Sequence, residues 1–196
     1  MTVTGVVLAA GASRRLGRPK QLLPYRDTTV LGATLDVARA VGFDQLIVTL
    51  GGAADAVRER VPLDGADVVV VSDESGAFGT GCSASLRVAL QRVDPQAAGI
   101  VLLLGDQPRM QLSTVRRLVA ERAGDIMVCR YADGIGHPFW FGRNIFSELS
   151  QLHGDKGVWK LIESGRHPVS ELAVDGPIPL DVDTWDDYQR LLESVS

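Results

Sequence analysis

Apolar runs alternate with amphipathic stretches along most of this chain. Val3 to Leu8 is a short apolar run that ends in a glycine-bearing loop. From Thr29 to Val41, the residues Val30, Leu31, Leu35, Val37, Ala38 and Val41 recur at helical spacing, and Gly42 supplies a stop. Gln45 to Leu50 reads as a second strand, Ala53 to Arg60 as a helix stopping before Pro62, and Ala66 to Val71 as a third strand. A helix over Ser83 to Arg92 ends at Asp94-Pro95. Gly99 to Leu104 is the most hydrophobic strand and runs into Gly105-Asp106. Ser113 is placed to cap a helix through Ala123, with Gly124 at its end, before a strand over Asp125 to Arg130. Strands that are apolar throughout are buried on both faces and need helices on both. The pattern therefore predicts an α/β fold of three layers around a mostly parallel, mixed sheet, Rossmann-like in its strand–helix alternation.

The second half is less regular. Gly134 to Gly142, with His137-Pro138, reads as a turn feeding a strand of Phe139, Trp140 and Phe141. A helix near Val158 to Glu163 follows Gly154-Asp155-Lys156-Gly157. Strands near Val169 to Val174 and Ile178 to Val182 precede a last helix from Thr184, where Thr184-Trp185-Asp186-Asp187 reads as a capping box. This half is expected to extend the sheet and build one wall of a cleft, within a single domain over residues 1–196.

Composition narrows the function classes. With 20 Lys plus Arg against 24 Asp plus Glu the net charge is −4, a poor match to a phosphate polymer, so nucleic acid is not an expected partner. No apolar run reaches the roughly 18 residues of a membrane span, and no secretory signal is evident. Cys82 and Cys129 are too few for a disulfide scaffold or a Cys-rich zinc site, which fits a reduced cytoplasm. His137, His153 and His167 lack metal-ligand spacing.

Open parallel sheets bind ligands at the C-terminal ends of their strands, which directs attention to Ala9 to Lys20, Gly51 to Ala54, Ser72 to Cys82 and Gly105 to Met110. The first loop combines Gly11 and Gly17 with Arg14, Arg15, Arg18 and Lys20. Small residues let backbone N–H groups approach an anion and the cations neutralise it, which is the chemistry of a triphosphate site. The spacing matches neither the P-loop nor the Rossmann fingerprint, and the same composition also describes a solvated basic turn. Asp106 emerges at the ligand end of the sheet, where a carboxylate suits Mg²⁺ or merely caps a turn. Asp181 and Asp183, two apart, point to one side of an extended segment and offer a partner carboxylate.

The run Leu8-Ala9-Ala10-Gly11-Ala12-Ser13-Arg14-Arg15-Leu16-Gly17-Arg18-Pro19-Lys20, followed by Leu22-Leu23-Pro24, resembles the motif loop of small-molecule nucleotidyltransferases. It is most similar to the molybdenum cofactor cytidylyltransferase family. Gly105-Asp106-Gln107-Pro108, Gly136-His137-Pro138, Gly154-Asp155-Lys156-Gly157 and Asp181-Val182-Asp183-Thr184 follow in that family's order.

The resemblance implies attack by an acceptor phosphate on the α-phosphorus of a nucleoside triphosphate, with release of pyrophosphate. It implies catalytic roles for Arg15, Lys20 and Asp106, and Mg²⁺ held by Asp106 with Asp183. Nucleotide contacts are expected from Leu8, Ala9, Ala10, Gly11, Arg15, Lys20, Gly51, Asp73, Gly81 and Ser83, and acceptor contacts from His137, Asp155, Lys156 and Lys160. Ala10 stands where related guanylyltransferases carry a glycine, and its methyl favours CTP over a purine triphosphate. The chain departs from the family pattern at Asp73, at Cys82, and at Val158-Trp159, where Ala-Arg is frequent. Trp159 reads either as a platform for a pterin ring or as a core residue beside Leu161 and Ile162. The expected acceptor is a molybdopterin-type cofactor, with a molybdenum hydroxylase as a further partner. A different phosphorylated acceptor, or a non-catalytic accessory protein of the molybdenum cofactor, are the competing readings.

Overall fold

The computed structural model describes residues 1–71 and 81–193. The elements run β1 (Thr2–Ala9), β2 (Pro24–Tyr25), β3 (Thr28–Thr29), α1 (Val30–Val41), β4 (Gln45–Leu50), α2 (Ala54–Arg60), β5 (Asp67–Val70), α3 (Cys82–Leu90) and β6 (Ala97–Leu104). They continue with α4 (Leu112–Glu121), β7 (Ile126–Tyr131), β8 (Gly134–Gly142), α5 (Phe146–Leu149), α6 (Gly157–Glu163), β9 (Val169–Ala173) and α7 (Trp185–Glu193). The main sheet has seven strands in the order β5-β4-β1-β6-β8-β7-β9. β1 pairs in parallel with β4 and β6, β4 with β5, and β7 with β9. Only β8 runs the other way, antiparallel to both β6 and β7. This is the mostly parallel α/β sheet expected from the sequence.

Two cores lie on the two faces. Val7, Val48, Val101 and Leu103 face Leu31 and Leu35 of α1, Val57 of α2 and Leu118 of α4. Val6, Ile47, Ile100 and Leu102 face Leu86 of α3 and Leu161 of α6. Successive strand residues alternate between the faces, so one apolar run supplies both cores. A third, smaller cluster joins Leu16, Leu23, Tyr25, Val30, Val182 and Leu191. It fastens the basic loop and the β2–β3 hairpin to the C-terminal segment.

The local signals act as expected at α1. Thr29 Oγ1 accepts from the Gly32 N–H at 3.0 Å, and Gly42 closes the helix in the left-handed region. Three expectations are corrected. α4 begins at Leu112, so Ser113 lies in its first turn and makes no cap. Gly134–Gly142 is strand throughout, and its Pro138 sits in a bulge, because Val128 pairs with Phe139 while Cys129 pairs with Gly136. Ile178 to Val182 is not a strand. Pro177 and Pro179 remove alternate ladder donors. The segment is pinned instead by Ile178 N–H to Asp133 Oδ1 at 2.8 Å and Val182 N–H to the Asp106 carbonyl at 3.1 Å. Among the described residues no helix is long and apolar enough to cross a membrane.

Candidate active site

β1 and β6 are neighbours in the sheet, so the loops that leave their C-terminal ends must share a space. The Gly105 N–H donates to the Leu8 carbonyl at 2.8 Å and holds the two exits together. The basic loop is then shaped from within. Ser13 takes a positive φ of 51°, and its Oγ accepts the Lys20 N–H at 2.9 Å. Gln21 reaches back to donate to the carbonyls of Ala9 at 2.7 Å and Gly11 at 3.1 Å. Gly51, at the end of β4, lies so close that any Cβ there would run into the Ala10 carbonyl. Leu8 and Ala9 are buried, whereas Ala10 and Gly11 open to the surface.

The loop delivers Lys20 to the centre of an ionic cluster. Its Nζ donates to Asp106 Oδ2 and, at 2.7 Å, to Asp183 Oδ1. Arg15 Nη2 donates to the other oxygen of Asp183 at 3.0 Å. The Lys20 side chain is only 12% exposed. Burial alone would lower its pKa, but the carboxylates of Asp106 and Asp183 outweigh that and raise it. Burial likewise works to raise the Asp183 pKa, and the cations of Lys20 and Arg15 overcome it and lower the value. Arg15 is largely solvated, so its bond to Asp183 adds little stability.

The neighbouring carboxylate behaves differently. Asp181 Oδ1 accepts from Gln107 Nε2 at 2.7 Å, and its pKa is pushed up to about 6 by burial and by the charge of Asp106. The pair Asp181 and Asp183 therefore divides its work: one carboxylate ties the C-terminal segment to Gln107, the other meets the cations. Thr184 and Asp187 form the expected capping box, with Thr184 N–H to Asp187 Oδ2 at 2.8 Å and Asp187 N–H to Thr184 Oγ1 at 3.2 Å.

A metal ion can be weighed against these residues. Asp106 Oδ1 is buried and has no hydrogen-bond partner among the described residues. Asp106 and Asp183 already converge on one cation, the Lys20 ammonium. No three His, Cys, Asp or Glu side chains gather among the described residues to cage a metal unaided. That donor set fits a hard divalent ion that takes one or two carboxylates and completes its shell with phosphate and water oxygens.

On the far wall the geometry is a latch. Gly81 has a φ of 111°, and a Cβ there would collide with Asp155 Oδ1. The same oxygen accepts the Cys82 N–H at 3.1 Å, at the start of α3. Ser83 Oγ donates to the Gly154 carbonyl at 2.5 Å. Gly81 and Ser83 thus meet the Gly154–Gly157 turn directly. Partial burial, then the carboxylates of Asp155 and Asp106, hold the Cys82 thiol above its ordinary pKa, so it is not poised as a thiolate.

The remaining expected residues are scattered. Lys156 and Lys160 are exposed. His137 is 7% exposed, its ring 4.1 Å from that of Phe139, and burial drives its pKa down to about 3. It is a neutral packing group, not a cation for a phosphate. Trp159 is half-buried and packs edge-on against Phe139 and His137. Asp73 lies outside the described residues. Sequence reasoning missed Ser13, Gln21 and Gln107, whose side chains shape the loops and touch backbone or Asp181; only their position inside the glycine-bearing loops marked them.

Known proteins resemble the chain over nearly its full length. A crystal structure of Rv0371c from Mycobacterium tuberculosis H37Rv superposes with a TM-score of 0.92 at 72% identity, covering 98% of this chain and 97% of that one. A structure of Rv0371c complexed with manganese matches with a TM-score of 0.89 at 68% identity, covering 99% and 100%. The nicotine blue oxidoreductase of Paenarthrobacter nicotinovorans is 33% identical, over 97% of this chain and 96% of its own. A nucleotidyl transferase from Methanothermobacter, Mth528, is 27% identical with a TM-score of 0.77, covering 98% and 99%. The family model described as the MobA-like NTP transferase domain matches residues 5–170. With the basic loop, Lys20 and Asp106 inside that span, the chain belongs to the MobA-like NTP transferase family.

Proposed function

We propose that this protein transfers a cytidylyl group from CTP to the phosphate of a molybdopterin-type acceptor. An acceptor phosphate oxygen forms a bond to the α-phosphorus, the bond from that phosphorus to the bridging oxygen of the β-phosphate breaks, and pyrophosphate leaves. The observation that carries the reading is the Lys20 ammonium held between Asp106, just past the end of β6, and Asp183 of the C-terminal segment.

In this reading the backbone from Leu8 through Gly11 cradles the triphosphate. Gly51 keeps space behind Ala10, and Gly81 and Ser83 border the nucleoside. Arg15 and Lys20 meet the charge that moves to the leaving pyrophosphate. Asp106 and Asp183 would hold Mg²⁺, which when bound neutralises and orients the phosphates. The attacking phosphate is an anion at neutral pH, so the site needs positioning and electrostatics more than a base. The absence of any thiolate or charged histidine from the described cluster is consistent with that need. The Ala10 methyl crowds the base pocket and favours the smaller pyrimidine.

On the acceptor side, Lys156 and Lys160 supply cations for the acceptor phosphate. Asp155 acts by latching their turn to α3, and His137 by packing against Trp159 of α6. The test is pyrophosphate release measured with each of the four ribonucleoside triphosphates, with and without molybdopterin. Release with CTP that depends on molybdopterin supports the reading. Release with another triphosphate, or with a sugar phosphate in place of the pterin, overturns the named substrates while keeping the chemistry.

A further inference from the structure

The cluster at the mouth of the cleft contains its own cation. Lys20 Nζ touches both carboxylates that would otherwise face each other across the cleft, Asp106 from the β6 exit and Asp183 from the C-terminal segment. Two carboxylates this close repel unless a positive charge lies between them. The ammonium supplies that charge and is nearly withdrawn from solvent, at 12% side-chain exposure. One acceptor is left over: Asp106 Oδ1 is buried and has no hydrogen-bond partner among the described residues. The ammonium does not satisfy it: two of its three N–H donors go to Asp106 Oδ2 and Asp183 Oδ1, and the third makes no bond to Asp106 Oδ1. A divalent ion with two positive charges and several oxygen ligands can satisfy it.

We propose that Lys20 is a placeholder cation: its ammonium and a divalent metal ion compete for the same pair of carboxylates, and metal entry expels Lys20 toward the triphosphate. This inference rests on the nucleotidyl-transfer reading of the same site. Its consequence is a coupling between ligands. The free protein binds a divalent ion weakly, since the ion must displace an ion-paired lysine. A bound triphosphate offers the displaced ammonium a new anionic partner and so strengthens ion binding. By linkage, the ion strengthens triphosphate binding through the same exchange. The lysine is kept ion-paired in the free protein, metal entry releases its charge, and a bound triphosphate makes that release easier by receiving it.

The chain lends itself to a direct test, because it has only three lysines: Lys20, Lys156 and Lys160. Wild-type protein is labelled with a trace of an amine-acetylating reagent, with and without saturating Mn²⁺, and each lysine is quantified by mass spectrometry. Mn²⁺ should raise the labelling of Lys20 several-fold while Lys156 and Lys160 serve as unchanged references. Unchanged or slower labelling of Lys20 would overturn the proposal. In parallel, Mn²⁺ binding to the free protein is followed by the loss of its free-ion paramagnetic resonance signal. Lys20→Met, which removes the competitor, should bind Mn²⁺ about tenfold more tightly than wild type. Equal or weaker binding, or no bound Mn²⁺ in either protein, would also overturn it. Labelling needs no variant, so a Lys20→Met protein that does not fold leaves a decisive measurement. Neither experiment contains a nucleotide. A protein that passes both but releases no pyrophosphate from any triphosphate would retire nucleotidyl transfer and leave the exchange standing.

Discussion

The two sides of the sheet solve different problems. On the side of β5, β4, β1 and β6, all strands are parallel and their exits gather at one edge, so backbone loops shape the cleft. On the side of β8, β7 and β9, an antiparallel hairpin interrupts the pattern, and the residues near it fill the interior. Lys20 and Asp106, from the first side, are charged groups paired with each other at the strand exits and largely withdrawn from solvent. His137 and Trp159, from the second, are packed against Phe139. The lesson is that motif residues on the parallel side carry charge into the cleft, whereas motif residues beside the hairpin mainly hold the wall that the ligand meets.

The contrast can be broken from either side. The largest effect is expected at Asp106→Asn, which should lower pyrophosphate release by about 10³-fold or more while the thermal transition stays cooperative, since the carboxylate proposed to hold the metal loses its charge. Retained turnover at saturating metal would remove Asp106 from the chemistry. Next comes Lys20→Ala, expected to cost about 10²-fold in kcat, against a few-fold for Arg18→Ala. Arg18 lies over the Trp185 ring at 5.4 Å and serves as the control. Equal losses at both positions would mean diffuse attraction of phosphate and not a placed cation.

The hairpin side should answer in stability. His137 has a folded-state pKa of about 3 against an ordinary 6.5. Below pH 6.5 the unfolded chain accepts a proton that the folded chain refuses. Stability is therefore lost as pH falls from about 6.5 toward 3, at up to about 1.4 kcal/mol per pH unit. Urea denaturation at pH 7 and pH 5 should show wild type losing about 2 kcal/mol more than His137→Gln. Parallel losses would show that the imidazole is hydrated in the folded protein. The smallest effect is assigned to Trp159→Phe, a loss of about 1 kcal/mol in stability with the acceptor KM unchanged. A raised KM at normal stability would make Trp159 a substrate platform after all and erase the distinction between the two sides.

The sequence announces the parallel side more clearly than the other, and the reason is physical. A glycine-bearing loop after an apolar strand has few ways to leave a parallel sheet, so the loops that carry Lys20 and Asp106 had to share one end of it once β1 and β6 paired. The capping box at Thr184 is a contact within four residues and needs no tertiary information. What stayed hidden depends on distant partners. Gln107 is polar and 1% exposed because it answers Asp181 and the Pro179 carbonyl, far along the chain. Gly81 is expected at the nucleotide and Gly157 within the Gly154–Gly157 motif, but nothing local shows that both make room, the one for the Asp155 carboxylate and the other for the Ser83 hydroxyl. The expected strand at Ile178 failed because its alternating apolar residues suggested a ladder that its prolines cannot donate to.

Lys20 and Asp183 are 163 residues apart, and the contact between them depends on the small cluster in which Val182 and Leu191 meet Leu16 and Leu23. On the ribosome, β1, β4, β5 and β6 can emerge and pair long before that closing segment is made. During that interval the basic loop has lost its clasp, and Asp106 alone faces Lys20. A nascent chain can hence acquire its sheet without acquiring a finished site. On the proposed reading, the ability to handle a triphosphate arrives only as α7 and the segment before it fold back on the first loop, which makes their synthesis the clock for that competence.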